Sequence, residues 1–223
     1  MSTQNTTHNS VTNNPGSRGA HFFAHLFSYI FHPLFLPLYV ISLLAYVHPA
    51  YFSGFSASDK KQTLLIILLN SVFFPAATVL LLKGLGFIDS VFLKTKKDRI
   101  IPYIACGIFF FWTYTVFKEQ NRYPSIVSSF LLGVFLASSA ALIANIYFKI
   151  SMHAIGMGGL LGLFLLIMKS NTMLMTWPIG AAVLITGIVC TARLLISDHS
   201  TKEVYCGLLV GLLCQFAAAI VVL

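Results

Sequence analysis

Residues 125–148, SIVSSFLLGVFLASSAALIANIYF, carry no charged side chain and are long enough to cross a lipid bilayer as one helix. A transmembrane helix needs roughly 20 predominantly apolar residues. Comparable apolar runs fill most of the remaining chain, at approximately 22–47, 63–88, 101–118, 153–169, 174–196 and 204–222. We therefore predict an all-α fold, a polytopic membrane helix bundle with about six to seven transmembrane helices.

The composition of the chain supports this prediction. Of its 223 residues, 57% are hydrophobic and 9% are charged, and the mean hydropathy is +0.85. Such values are typical of integral membrane proteins rather than of soluble domains. The formal net charge of +8 indicates loops beside anionic lipid headgroups or a site for phosphate, and we expect no nucleic-acid partner.

Two parts of the chain differ in composition. Residues 1–20 are polar and poor in aromatic and acidic residues, which is typical of a disordered tail. Residues 21–223 are predicted to form a single membrane domain. Near its start, His21 and His25 have the spacing of metal ligands on a helix, but no carboxylate or cysteine joins them. Amphipathic side chains at the membrane surface are therefore the favoured interpretation.

Three polar groups interrupt the apolar runs. The first spans residues 94–99 and is followed by Pro102, the second is Ser151 with His153, and the third lies within residues 192–203, ARLLISDHSTKE. Two apolar runs separate the first group from the second, and two more separate the second from the third. Because an even number of crossings returns the chain to the same face of the membrane, we predict that all three groups meet at one surface.

The residue types in these groups suit phosphoryl transfer. Lysine and arginine bind phosphate through charge-assisted hydrogen bonds. Two histidines, His153 and His199, could supply a nucleophile and a proton donor. If a helix begins near residue 200, the carboxylate of Glu203 lies one turn after His199 and can accept its N–H. Such a bond fixes the tautomer of the ring and supports positive charge on it.

The spacing in the third group resembles a signature of the type 2 phosphatidic acid phosphatase superfamily. That signature reads Ser-Arg-x5-His-x3-Asp. Here Arg193 is followed after five residues by His199, and His199 is followed after three residues by Glu203. Ala192 stands where the family has serine, and Glu203 stands where the family has aspartate.

The other two polar groups resemble the remaining signatures of the same superfamily. Residues 150–153, Ile-Ser-Met-His, are similar to its Pro-Ser-Gly-His signature, with isoleucine and methionine in place of proline and glycine. Lys94 and Pro102 keep the spacing of its Lys-x6-Arg-Pro signature, while the arginine lies two residues earlier, at Arg99. The resemblance covers about residues 90–205.

The resemblance implies a role for each matched residue. His199 would attack phosphorus and become phosphohistidine, Glu203 would orient it, and His153 would protonate the leaving group. The phosphate oxygens would be held by Arg193, Arg99, Lys94 and Ser151. The resemblance implies no metal and no other cofactor. The substrate would be a membrane lipid such as phosphatidic acid, phosphatidylglycerol phosphate or an isoprenyl diphosphate. We expect the protein to lie in the cell membrane, and specifically in a bacterial inner membrane.

Other interpretations of the same residues stay open. Residues 200–203, Ser-Thr-Lys-Glu, also match the capping box that begins many helices, which would explain Glu203 without catalysis. Asp198 is a second candidate partner for His199, although the i, i+4 spacing favours Glu203. A catalytically inactive lipid-binding relative and a small membrane transporter are the alternative functions.

Overall fold

The computed structural model describes residues 18–48, 50–91, 96–170, 172–196 and 199–223. This part of the chain contains helices and no strand, which confirms the predicted all-α class. The helices are α1 (Arg18–Ile30), α2 (Leu36–Ser42), α3 (Ala57–Leu68), α4 (Phe74–Gly84), α5 (Lys96–Glu119), α6 (Ser125–Tyr147), α7 (Met152–Ser170), α8 (Thr172–Leu195) and α9 (Thr201–Val222). Short π-helical turns, Leu43–Val47 and Leu69–Phe73, extend α2 and join α3 to α4.

Within the described residues, six helices are long and apolar enough to cross a membrane. Their bounds are Ala57–Gly84, Lys97–Glu119, Ser125–Tyr147, Met152–Lys169, Met175–Leu195 and Thr201–Val222. The first of these combines α3 and α4 through the π-helical turn. The chain is therefore a multi-pass membrane protein, and six spans agree with the predicted range.

The first apolar run, predicted over residues 22–47, is not one continuous helix. Helix α1 ends at Ile30 and α2 begins at Leu36, with His32 and Pro33 in the turn between them. Proline has no N–H to donate and keeps the preceding residue out of the α-helical conformation, so the helix ends here. The segment Leu36–Val47 that follows is apolar but short, about 18 Å at 1.5 Å per residue.

The start of α1 also corrects the predicted boundary of the tail. Helix α1 begins at Arg18, so the last three residues of the segment predicted to be disordered, 18–20, are helical. Residues 1–17 lie outside the described part of the chain. Most side chains of α1 are exposed, including the aromatic rings of Phe22, Phe23 and Tyr29, whereas Ala24 and Ser28 are buried.

Helices α7 and α9 pack against each other with their backbones in contact. A Cβ atom added at Gly211 would collide with the carbonyl oxygen of Ile155, and one added at Gly158 would collide with that of Leu208. Small residues spaced by four allow such close approach between membrane helices. At the start of α9, a Cβ at Gly207 would lie 2.9 Å from the carbonyl oxygen of Ser151, just before α7. The packing therefore brings the first turns of α7 and α9 together.

The bundle has two ends with different chemistry. At one end an ion pair joins Arg122 to Asp59, with 2.9 Å between Nη2 and Oδ1, beside the rings of Tyr123 and Phe117, whose planes are tilted by 37°. The other end holds the N-termini of α5, α7 and α9. Side chains from the first, second and third polar groups line one cavity there, so these groups share a surface as predicted.

Candidate functional site

A cavity of about 530 Å³ opens at this second end and is bounded by α2, α4, α5, α6 and α7. Its polar side chains include those of His32, Arg99, His153 and His199. Most of the remaining lining is apolar and includes Val40, Pro75, Val79, Phe110, Phe130 and Leu160. The cavity therefore offers a charged and hydrogen-bonding region next to a space suited to hydrocarbon.

The pair His199 and Glu203 lies at the polar region of the cavity. Nδ1 of His199 and Oε2 of Glu203 are 2.8 Å apart, and the imidazole side chain is only 6% exposed. Because a carboxylate accepts hydrogen bonds, Nδ1 is the protonated nitrogen of the neutral ring. Nε2 is then left with its lone pair. The predicted His–carboxylate contact is confirmed.

The same carboxylate also caps α9. Ser200 Oγ accepts a hydrogen bond from the N–H of Glu203 at 3.3 Å, and Glu203 Oε2 accepts one from the N–H of Ser200 at 3.4 Å. This is the capping box that the sequence predicted, and it begins the helix at Thr201. Glu203 is therefore both a helix cap and the hydrogen-bond partner of His199, because the capping bonds hold its carboxylate within reach of the imidazole.

The pKa of His199 is lowered below its ordinary value of 6.5. Burial is the largest cause, and the positive charges of Arg193 and Lys149 act in the same direction. The hydrogen bond and negative charge of Glu203 oppose them and raise the pKa. His199 is therefore neutral at pH 7, with a free lone pair on Nε2.

His153, on the first turn of α7, is held by helix α1. Its Nε2 lies 2.9 Å from the backbone carbonyl oxygen of Ser28. Because a carbonyl only accepts, Nε2 carries a proton and donates it to this bond. Nδ1 is consequently the nitrogen of His153 that is left for exchanging a proton with a substrate.

Ser28 also links His153 to Arg193. Its hydroxyl oxygen accepts a hydrogen bond from Nη1 of Arg193 at 3.4 Å, while its carbonyl oxygen accepts the one from His153. The residue is 6% exposed. Sequence reasoning missed Ser28, because a single serine within an aromatic helix gives no signal of its own. It also missed Lys149, whose charge acts on His199 from the turn before α7.

His32 is a third histidine in the cavity that was not assigned a role from the sequence. Its ring packs edge-on against that of His153, with 5.3 Å between centroids and 87° between planes. Its Nδ1 accepts a hydrogen bond from the N–H of Leu34 at 3.4 Å, within the turn made by Pro33. Burial and then the charge of Arg193 lower the pKa of His32, so the ring is neutral at pH 7. The His-Pro pair inside an apolar run was the one available signal.

The other predicted phosphate-binding residues are placed differently from one another. Arg99, on the first turn of α5, lines the cavity. Ser151 is fully buried, its hydroxyl oxygen accepts a hydrogen bond from the N–H of Ala154 at 3.4 Å, and it is not among the residues that line the cavity. Lys94 lies outside the described residues, as does Asp198, the rival partner for His199.

No protein-family model, no curated protein and no solved structure matches this chain. Among the residues that the structure describes, no group of three His, Cys, Asp or Glu side chains is placed to hold a metal ion.

Proposed function

We propose that this protein is a membrane phosphatase that hydrolyses a lipid phosphate or diphosphate through a phosphohistidine formed on His199. The observation that carries the proposal is the hydrogen bond from His199 to Glu203 at the polar region of a largely apolar cavity. The resemblance of the three polar groups to the type 2 phosphatidic acid phosphatase signatures supports the same reaction.

In the first step, the lone pair on Nε2 of His199 attacks the phosphorus of the substrate. A P–N bond forms while the P–O bond to the leaving group breaks, and the leaving oxygen takes the electron pair. His153, protonated on both ring nitrogens, gives its Nδ1 proton to that oxygen. The growing positive charge on His199 is stabilised by Glu203, which accepts the Nδ1–H at 2.8 Å.

In the second step, water replaces the leaving group. Neutral His153 takes a proton from the water as its oxygen attacks phosphorus, and the P–N bond breaks with its electron pair returning to Nε2 of His199. Inorganic phosphate leaves, and His153 is again protonated for the next cycle. Glu203 keeps its carboxylate throughout, so the cycle balances with water as the sole co-reactant.

Cationic side chains near the two histidines would stabilise the charge on the phosphoryl oxygens. Arg99 lines the cavity, whereas Arg193 is not among its lining residues and donates a hydrogen bond to Ser28, the residue that also binds His153. Arginine presents several donors in a planar fork, which suits phosphate oxygens, and preorganised donors contribute strongly to phosphoryl transfer. We propose both as phosphate ligands, with Ser151 and Lys94 as the remaining candidates from the signatures.

The shape of the cavity supports a lipid rather than a soluble phosphate ester. Its polar residues lie at the ends of membrane-spanning helices, where lipid headgroups are found, and its apolar walls continue along α5, α6 and α7. A hydrocarbon tail can therefore stay out of water while its headgroup reaches the polar residues. We propose that the protein lies in the cell membrane, and specifically in a bacterial inner membrane.

The test is phosphate release by the purified protein in detergent, with EDTA present and a panel of lipid phosphates and diphosphates. We expect metal-independent release that His199→Ala abolishes. His21→Ala is the matched control, since His21 is an exposed histidine of α1 away from the cavity, and it should keep full activity. Absence of release from every substrate by folded wild-type protein would reject the phosphatase and leave a lipid-binding protein.

A further inference from the structure

His32 occupies a position in the cavity that the three signatures do not account for. It lies in the turn between α1 and α2, and it reaches the polar region because Pro33 interrupts the helix. Its ring is held on two sides, by the N–H of Leu34 at Nδ1 and by the edge-on contact with His153. With Nδ1 accepting a hydrogen bond, the proton of the neutral ring is on Nε2, so His32 is a fixed hydrogen-bond donor.

The contact with His153 sets the side of the substrate on which His32 lies. In phosphoryl transfer the attacking and leaving atoms are roughly in line with phosphorus. His199 is the attacking group of the proposed reaction, and His153 is the acid that meets the leaving oxygen. His32 packs against His153 with ring centroids 5.3 Å apart, so it stands beside the leaving group.

The chemistry of the leaving group determines what the N–H of His32, as a second donor beside His153, could bind. When a lipid monophosphate is hydrolysed, the leaving group is an alkoxide with a single oxygen, which His153 protonates. The hydrocarbon attached to that oxygen has no hydrogen-bond acceptor. A lipid diphosphate leaves a lipid phosphate, whose further charged oxygens need hydrogen-bond donors when they are removed from water. A neutral imidazole N–H beside the acid supplies such a donor.

We infer that His32 binds the second phosphate of a lipid diphosphate and makes this class the preferred substrate of the site. The inference rests on the proposed function and narrows it. The transferred phosphoryl group lies against His199, the leaving phosphate lies against His153 and His32, and the tail lies along the apolar wall that includes Leu36, Val40 and Phe130. His32 thus determines specificity, and the nucleophile and acid remain His199 and His153.

Two substitutions distinguish the hydrogen-bond donor role of His32 from a role in packing its ring against His153. His32→Phe keeps a ring that can pack edge-on against His153 but has no N–H, whereas His32→Gln loses the ring and keeps an amide N–H. Both are assayed with farnesyl diphosphate and farnesyl monophosphate, which share one tail. The ratio of the two kcat/KM values is internal to each preparation, so a smaller folded fraction cancels from it.

We expect wild-type protein to prefer the diphosphate. His32→Phe should lose about ten- to a hundredfold in kcat/KM on the diphosphate, the effect of one hydrogen bond to a charged group, with a much smaller loss on the monophosphate. His32→Gln should retain most of the preference. A ratio that stays at the wild-type value in His32→Phe, or one that falls only in His32→Gln, would overturn the inference.

The same experiment keeps the two proposals apart. Hydrolysis by wild-type protein that His199→Ala abolishes, combined with an unchanged ratio in both His32 variants, would reject the role of His32 alone. Absence of hydrolysis by the wild-type protein on both substrates would reject the phosphatase itself, and the inference with it. A fall of the ratio in His32→Phe alone supports both.

Discussion

Three histidines share the polar region of the cavity, and each has one ring nitrogen occupied by a neighbouring group. His199 is held by the Glu203 carboxylate, His153 by the Ser28 carbonyl oxygen and His32 by the Leu34 N–H. The partners of His199 and His153 accept a hydrogen bond from the ring, whereas the partner of His32 donates one to it. The free nitrogens of His199 and of neutral His153 therefore carry lone pairs, and that of His32 carries a proton; the acid role proposed for His153 requires a second proton, on its Nδ1.

The pair of His199 and Glu203 carries a prediction about pH. Because burial and nearby cations lower the pKa of His199, the acid limb of kcat/KM should fall below 6.5. Glu203→Gln removes a charge that raises this pKa, so the limb should move to still lower pH, while kcat drops about 10²–10⁴-fold as the developing imidazolium loses its counter-charge. Phosphate release measured across the acid range checks both. A limb that does not move would show that Glu203 acts only as the cap of α9.

Sequence reasoning predicted the parts of the site that are local in the chain. His199 and Glu203 belong to one helix start, so their spacing and the capping box were enough to place them together. Ser28 and His32 were not predicted, because their contacts with His153 and Arg193 join residues more than a hundred positions apart. The hydrophobic periodicity of a sequence gives no information about contacts between residues so far apart. Ser151 was selected by a motif match, and in the structure its hydroxyl oxygen accepts a hydrogen bond from the N–H of Ala154.

At the scale of the helices, the contact between α7 and α9 sets the distance between His153 and His199, the two histidines proposed to act in catalysis. His153 is on the first turn of α7, and His199 directly precedes α9. Gly158 and Gly211 allow the two helices to pack this closely. The break of the first apolar run was not predicted, because its hydropathy continues across His32 and Pro33 although the helix does not.

The packing of these helices can be tested with a matched pair of glycine substitutions. Gly211→Ala places a methyl group against the carbonyl oxygen of Ile155, and we expect it to cost about 1–3 kcal/mol of stability. Gly187→Ala, in α8, meets nothing within 4 Å and should be neutral or slightly stabilising, since alanine favours helix by about 1 kcal/mol. Thermal unfolding in detergent measures the difference.

The two glycine variants should also differ in activity. Separating α7 from α9 moves His153 relative to His199, and a displacement of about 1 Å can cost about 10²-fold in rate. Phosphate release by folded Gly211→Ala should therefore fall, while Gly187→Ala should match wild type. Equal stability and activity of the two variants would contradict a close α7–α9 contact.

For the whole molecule, the two ends of the bundle should lie on opposite sides of the membrane. Lys97 and Lys202 are exposed at the end that holds the cavity, and Lys61 and Glu119 are exposed at the end with the Arg122–Asp59 pair. With the native cysteines replaced by alanine, single cysteines at Lys97 and Lys202 should react with an impermeant thiol reagent from one side of sealed vesicles. Those at Lys61 and Glu119 should react from the other. Mixed accessibility within either pair would refute the even-crossing topology.

The link that Ser28 makes from α1 to His153 and Arg193 has a consequence for biosynthesis. These contacts span 125 and 165 residues, so Ser28 is made long before the two side chains that it binds. His199 and Glu203 precede and begin α9, which leaves the ribosome after α1 to α8. A chain made only as far as α8 therefore lacks the His199–Glu203 pair and has no assembled cavity site.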